Sequence, residues 1–292
     1  MTKVTGANVP ILDGAGQLLT AYDVVFCDVW GVLHNGITPY AEAGEALARF
    51  RAAGGTVVLV SNSPSPSSSV AKLIDQIGVR RDARDAAITS GDLTPTHLTE
   101  RGYRRIHHIG PDRDLGVFRG LDLERVDLAR AVAIVCTGVV DDQRETGETY
   151  RPLLSDALAR SLPLVCGNPD LIVEVGGHLY PCAGAVAALY ESMGGSVYWA
   201  GKPHAPAYEG AHRLAEAARG SAVERTRILA IGDAVRTDLA GAAGYGVDGL
   251  LIGHGIHREE LMPSGGIEAD RLAALLATSP HRPVAAMPAL AW

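Results

Sequence analysis

Four apolar runs in this 292-residue chain each stop at a polar or charged group. Val24-Val25-Phe26-Cys27 ends at Asp28, and Val57-Val58-Leu59-Val60 ends at Ser61-Asn62. Val197-Tyr198-Trp199-Ala200 ends at Gly201-Lys202-Pro203, and Ile228-Leu229-Ala230-Ile231 ends at Gly232-Asp233. Short apolar runs bounded by turn formers read as strands buried on both faces. Segments of helical period lie between them: across residues 40–53, Ala43, Leu47 and Phe50 share one face, and Gly54-Gly55 stops the helix. Strands alternating with helices build a doubly wound parallel sheet, and right-handed crossovers bring the strand tips to one edge. A carboxylate on the tip of a buried strand is costly unless something uses it. The pattern predicts a ligand site where the four tips converge, the edge at which open α/β sheets bind ligands.

The same reading predicts strands over 23–28, 57–61 and 87–89, with helices over 40–53 and 69–77. A second α/β block follows, with strands over 105–109, 131–137 and 164–166, a helix over 150–161, and a hairpin of 171–175 with 178–182 turning at Gly176-Gly177. The first pattern then resumes with a helix over 183–193 and strands over 196–200, 228–231 and 249–252. The expected architecture is a discontinuous Rossmann-like α/β core, residues 1–89 and 182–292, interrupted by an inserted α/β cap over 90–181. The apolar, proline-punctuated tail from Ser279 to Trp292 is expected to be a docked or frayed extension.

A hydrophobic content of 47% is ample for such a core. The net charge of -7 argues against a nucleic-acid partner held by bulk electrostatics, while leaving room for a local anion pocket. Lys3, Lys72 and Lys202 are the only lysines beside many arginines, so a lysine kept in Gly201-Lys202-Pro203 hints at a specific role. Cys27, Cys136, Cys166 and Cys182 form no Cys-x-x-Cys pair and read as buried free thiols in a reducing compartment. Met1–Gly16 lacks a charged-then-apolar leader pattern, and no apolar run nears membrane-spanning length. A cytoplasmic protein with no membrane partner is expected, and a homodimer through the cap or the tail is open.

Asp233 and Asp238 lie in Gly232-Asp233-Ala234-Val235-Arg236-Thr237-Asp238, and with Asp28 they bring three carboxylates to one edge. Such anions repel unless a hard divalent cation joins them, and Mg²⁺ suits carboxylates plus a phosphate oxygen. Ser61 and Asn62 can hydrogen-bond an anionic oxygen, and Lys202 can balance its charge. Nucleophile, cation, hydroxyl, amide and ammonium together describe a phosphoryl-transfer site.

Asp28-Val29-Trp30-Gly31-Val32-Leu33-His34-Asn35-Gly36, Ser61-Asn62-Ser63, Gly201-Lys202-Pro203 and Gly232-Asp233 with Thr237-Asp238 resemble motifs I to IV of the haloacid dehalogenase-like (HAD) hydrolase superfamily. The match is to class IIA, the NagD-like and p-nitrophenyl phosphatase-like group, with Thr89-Ser90-Gly91 and Asn168-Pro169-Asp170 also similar. The resemblance implies an α/β cap of the C2 type inserted between motifs II and III. It implies a Mg²⁺-dependent phosphatase for a small phosphorylated metabolite of the nucleotide or sugar phosphate class. Asp28 would attack phosphorus and become an aspartyl-phosphate. Mg²⁺ would bind Asp28, the backbone carbonyl of Trp30 and Asp233, with Asp238 near the ion or just outside its direct ligands. Ser61 and Asn62 would hold the phosphoryl group, and Lys202 would link it to the nucleophile.

The chain departs from that pattern at Trp30, where most HAD phosphatases carry a second aspartate that protonates the leaving oxygen. An indole cannot do this, and general acid–base help is worth about 10²–10⁴-fold. His34 is the nearest titratable substitute, although a solvent-facing or loop-anchoring histidine is the commoner arrangement. Without a substitute, the suitable substrates are those whose leaving group needs no proton, such as aryl, enol or acyl phosphates. Two other readings stand beside this one: a non-catalytic or weakly active module that binds a phosphorylated ligand or a protein, and a dehalogenase-type hydrolase. Cap residues are expected to select the substrate, with Arg104, Arg105, His107 and His108 available for a second anionic group.

Overall fold

A computed structural model of the chain describes residues 9–175 and 178–292. Lys3, the first half of the Met1–Gly16 reading and the Gly176-Gly177 turn lie outside the described residues. The chain divides into two compact units: one runs up to Leu59 and adds Val79–Ala86 and Ala215–Trp292, and the other comprises Val60–Gly78 and Ala87–Leu214.

In chain order the strands are β1 (Val24–Cys27), β2 (Thr56–Ser61) and β3 (Ala86–Thr89). Then come β4 (Arg105–Ile109), β5 (Glu124–Arg125), β6 (Ala133–Cys136), β7 (Leu164–Cys166), β8 (Ile172–Val175), β9 (His178–Pro181) and β10 (Val197–Trp199). Last are β11 (Ile228–Gly232), β12 (Asp248–Ile252) and β13 (Ala285–Met287). They form a six-stranded sheet ordered β13-β12-β11-β1-β2-β3, a five-stranded sheet ordered β10-β7-β6-β4-β5, and the hairpin β8-β9.

The six-stranded sheet explains why Asp28 falls where it does. Strand order runs outward from β1 through β2 to β3 on one side, and from β11 through β12 to β13 on the other. The switch point of the sheet therefore lies between β1 and β11, the place where open α/β sheets bind ligands. Parallel register sets Cys27 opposite Ile231, so Asp28 and Gly232 leave the sheet at the same level, and the Asp28 N–H donates to the Ile231 carbonyl at 2.8 Å. All of β1 is buried, as a central strand covered on both faces requires.

The second sheet corrects the expected border at residue 182. Val197–Trp199 was expected to continue the first sheet, but it pairs in parallel with Leu164–Cys166 as an edge of the second. Parallel neighbours need a crossover helix. Ala183–Ser192 supplies it, burying Ala183, Val186, Ala187 and Tyr190 in one cluster with Ile134, Cys136, Leu164 and Cys166. Tyr190 also donates its hydroxyl to the Leu162 carbonyl at 2.6 Å. Only three of the four polar strand tips therefore belong to the six-stranded sheet.

A helix, Ser90–Glu100, begins directly after β3, in a stretch to which the sequence pattern assigned no element. Thr89 and Asp92 form its capping box, with the Thr89 N–H donating to Asp92 Oδ2 at 3.0 Å. The same carboxylate accepts the N–H of Ser67 at 3.1 Å, the first residue of helix Ser67–Gln76, and the Thr89 hydroxyl donates to the Ser65 carbonyl at 2.7 Å. Asp92 thus caps two helix starts and ties down the loop that follows Ser61-Asn62.

The tail is docked. Ala286 bridges Ile11 beyond the sheet edge, and the Ala15 N–H donates to the Ala291 carbonyl at 2.8 Å. The four cysteines are free and buried. No helix among the described residues is long and apolar enough to cross a membrane.

Candidate active site

Asp28, Asp233 and Asp238 come together in the first unit, with one carboxylate oxygen from each within 4.8 Å of the others. They are only 9%, 6% and 4% exposed. At an effective dielectric near 20, unit charges at that spacing repel by about 3 kcal/mol per pair. Backbone donors reach all three: the Val29 N–H gives to Asp28 Oδ1 at 2.7 Å, Ile256 to Asp233 Oδ2 at 2.7 Å, and Ala234 to Asp238 Oδ2 at 3.1 Å. Asp238 reaches the cluster because Val235–Leu239 forms one wide turn, closed by the Leu239 N–H on the Ala234 carbonyl at 3.2 Å.

Glycines make the room. A Cβ at Gly31 or Gly255 would overlap the Asp233 carboxylate, and one at Gly232 would overlap Asp238. A dry group of hard oxygen donors with open backbone around it fits a divalent cation such as Mg²⁺ or Ca²⁺. The loop Gly253-His254-Gly255-Ile256 was missed at the level of sequence. Its signal was present: β12 also ends at glycines, which makes it a further strand tip of the same sheet.

Trp30 and His34 define the loop after β1. They bridge as neighbours, the Gly31 N–H donating to the His34 carbonyl at 2.8 Å, and His34 bridges Pro39 as well. The indole stands edge-on to the imidazole with ring centres 4.9 Å apart. Gly36, at φ +90°, leaves space for it: a Cβ there would come within 2.5 Å of the indole. His34 is 1% exposed, burial takes its pKa down to about 4, and its Nδ1 accepts the Gly36 N–H at 2.8 Å. With the Gly36 N–H on its ring and the indole beside it, His34 anchors this loop, the commoner of the arrangements open to it.

The second unit carries the other predicted residues. Ser61 is half-buried, and its Oγ accepts the Ser63 N–H at 3.2 Å. Lys202 is 3% exposed. Asn62, also 3% exposed, departs from expectation. Its Oδ1 accepts the Lys202 N–H at 2.7 Å, while its Nδ2 donates to the Lys202 carbonyl at 3.1 Å and to Asp170 Oδ1 at 2.9 Å. The amide expected to hold a phosphoryl group is engaged with protein on every side.

The basic cluster of the second block disperses, because successive strand residues point to opposite faces. Arg104 pairs with Asp122, His107 Nδ1 meets the Val126 carbonyl at 3.1 Å, and His108 Nε2 meets Thr137 Oγ1 at 2.9 Å. Asn168-Pro169-Asp170 makes an Asx turn, the Asp170 N–H donating to Asn168 Oδ1 at 3.1 Å.

Residues 25–124 match the family model of haloacid dehalogenase-like hydrolases, and residues 199–279 match a second one for HAD-hydrolase-like chains. A haloacid dehalogenase-like family hydrolase from Brucella suis 1330 is 45% identical, with a TM-score of 0.84 over 96% of this chain and 100% of that one. The chain belongs to the haloacid dehalogenase-like hydrolase family. Other HAD structures share the fold at lower identity. The 4-nitrophenylphosphatase of Thermotoga maritima is 20% identical with a TM-score of 0.69, covering 93% of this chain and 96% of its own. NagD from E. coli K-12 is 20% identical with a TM-score of 0.65, covering 92% and 97%. The fold is thus shared with NagD and with a 4-nitrophenylphosphatase, the group that the class IIA motifs resemble. Among curated proteins, none gives a significant match.

Proposed function

We propose that this HAD hydrolase is a Mg²⁺-dependent phosphatase acting through an aspartyl-phosphate on Asp28. The observation that carries the reading is the buried group of Asp28, Asp233 and Asp238 at the switch point of the sheet. A carboxylate oxygen of Asp28 attacks phosphorus, and the bond from phosphorus to the leaving oxygen breaks with its electron pair. Water then cleaves the acyl phosphate, returning the carboxylate and releasing inorganic phosphate. Asp28, Asp233, Asp238 and the Trp30 carbonyl would hold Mg²⁺, which would supply the positive charge that lets an anionic nucleophile meet an anionic substrate. Ser61 donates a hydrogen bond to the phosphoryl oxygens, and Lys202 balances their charge.

Trp30 and the neutral His34 leave this loop without a proton donor for the leaving oxygen. The favoured substrates are therefore small phosphorylated molecules with a good leaving group: aryl, enol or acyl phosphates. Halide displacement needs no cation, so a dehalogenase gains nothing from Asp233 and Asp238. The free buried thiols support a reducing, cytoplasmic setting.

Purified protein is expected to release phosphate from p-nitrophenyl phosphate with Mg²⁺ and to stop when EDTA is added. Release that survives EDTA overturns the metal-dependent reading, and no release at any Mg²⁺ concentration favours the non-catalytic one. Gly255→Ala tests the metal site without chemistry, because the added methyl would displace the Asp233 carboxylate. Saturating Mg²⁺ is expected to raise the melting temperature of the native protein, since 100-fold excess over Kd adds about 2.7 kcal/mol. The Gly255→Ala protein should lose most of that rise, and an equal rise in both proteins would remove Asp233 from the ligand set.

A further inference from the structure

We infer that Asp170 is a positioning residue: acting through the Asn62 carboxamide, it sets the place of Lys202. The inference rests on the proposed role of Lys202 at the phosphoryl group. Its ground is the way the Asn62 amide is used. A carboxamide has one acceptor oxygen and two N–H donors, and two of its three bonds here run to the backbone of Lys202, one in each direction. Strand β10 has already ended at Trp199, so the Asn62 side chain pairs with the Lys202 backbone as a further strand would.

The third bond decides which way the amide lies. A carboxylate can only accept, so Asp170 Oδ1 must face the Asn62 nitrogen and not its oxygen. That choice turns Asn62 Oδ1 toward the Lys202 N–H. Flipped, the amide would set oxygen against the Asp170 carboxylate and against the Lys202 carbonyl, and would leave the Lys202 N–H facing a donor. Asp170 is itself fixed from two sides. Its N–H donates to Asn168 Oδ1 at 3.1 Å, and its carbonyl accepts the Gly184 N–H at 3.1 Å, in the first turn of helix Ala183–Ser192.

The loop is closely packed at Gly201. A Cβ at Gly201 would stand 2.5 Å from Asn62 Oδ1 and 2.9 Å from the Pro169 ring, and would overlap Ser90 Oγ. The backbone before Lys202 is thus wedged between the Asn62 amide and the Asn168-Pro169-Asp170 turn. A strut from the end of β7, through Asp170 and Asn62, ends on the lysine.

The test compares Asp170→Ala, Asp170→Asn and Lys202→Ala on p-nitrophenyl phosphate with Mg²⁺. Losing the partner of a buried amide is expected to lower kcat about 30-fold in Asp170→Ala, with KM changed less than about threefold. Asp170→Asn can still present an oxygen to Asn62 and is expected to keep kcat within about threefold of native. Melting temperatures close to native separate this from general damage. If Asp170→Ala does not fold, Asn62→Ser carries the test, with the same fall in kcat at unchanged KM. Native kcat in Asp170→Ala or Asn62→Ser overturns the inference, and so does an Asp170→Asn protein as slow as Asp170→Ala. A large rise in KM for Asn62→Ser also overturns it, because that would mark Asn62 as a direct phosphate ligand. Lys202→Ala keeps the two readings apart. If it turns over like native protein, the role of Lys202 fails; if it is dead while Asp170→Ala is fully active, the strut alone fails.

Discussion

Asp28→Asn is expected to reduce Mg²⁺-dependent phosphate release by at least about 10³-fold while leaving the protein folded. An amide oxygen is a far poorer nucleophile than a carboxylate, and the exchange also removes one charge from the cation site. The fold does not depend on that charge. The backbone bond from Asp28 to the Ile231 carbonyl is untouched, and an amide oxygen can still accept the Val29 N–H. Relief of crowding among three carboxylates should raise the melting temperature in EDTA and lower the further rise caused by Mg²⁺. Phosphate release and melting curves check both signs. An Asp28→Asn protein that keeps native turnover would remove the covalent intermediate from the mechanism.

Trp30→Asp should act in the opposite direction. An aspartate at this position can protonate a departing alkoxide, and general acid help is worth about 10²–10⁴-fold. Turnover on an alkyl phosphate is expected to rise by about 10²-fold, with turnover on an aryl phosphate held within about threefold. The gain comes with a loss of stability of about 2 kcal/mol, because the indole now fills the space over His34 and Gly36. Steady-state rates on a matched pair of alkyl and aryl phosphates decide it. Unchanged alkyl turnover would show that the missing proton donor does not limit this enzyme.

What could be read from the residues alone divides along a physical line. Strands β1, β2 and β11 were legible because each is a long apolar run buried on both faces, and their parallel order brings Asp28 and Asp233 to one edge. Strand β10 was legible as a strand but not as a member of its sheet. Pairing with β7 is a non-local fact, and Val-Tyr-Trp carries no mark of its neighbour. The two-residue β5 is exposed and polar, so it has no hydrophobic period to detect. Helix Ser90–Glu100 hides behind Pro95 and three threonines, all poor helix formers. The site shows the same contrast. Three aspartates announce a cation by their charge, whereas the role of Asn62 depends on which partners surround its amide. His34 has the chemistry of an acid and lost it to burial, which no neighbour in sequence foretells.

The buried cysteines have a practical consequence. Burial pushes the Cys136 thiol up to about 12 and raises those of Cys166 and Cys182 as well, so none of these three offers a thiolate at neutral pH. Cys27 is shut inside the central strand. The folded chain is therefore expected to react slowly with maleimides without any change to its own sequence. A single cysteine introduced at an exposed position would then be the preferred address for a fluorophore.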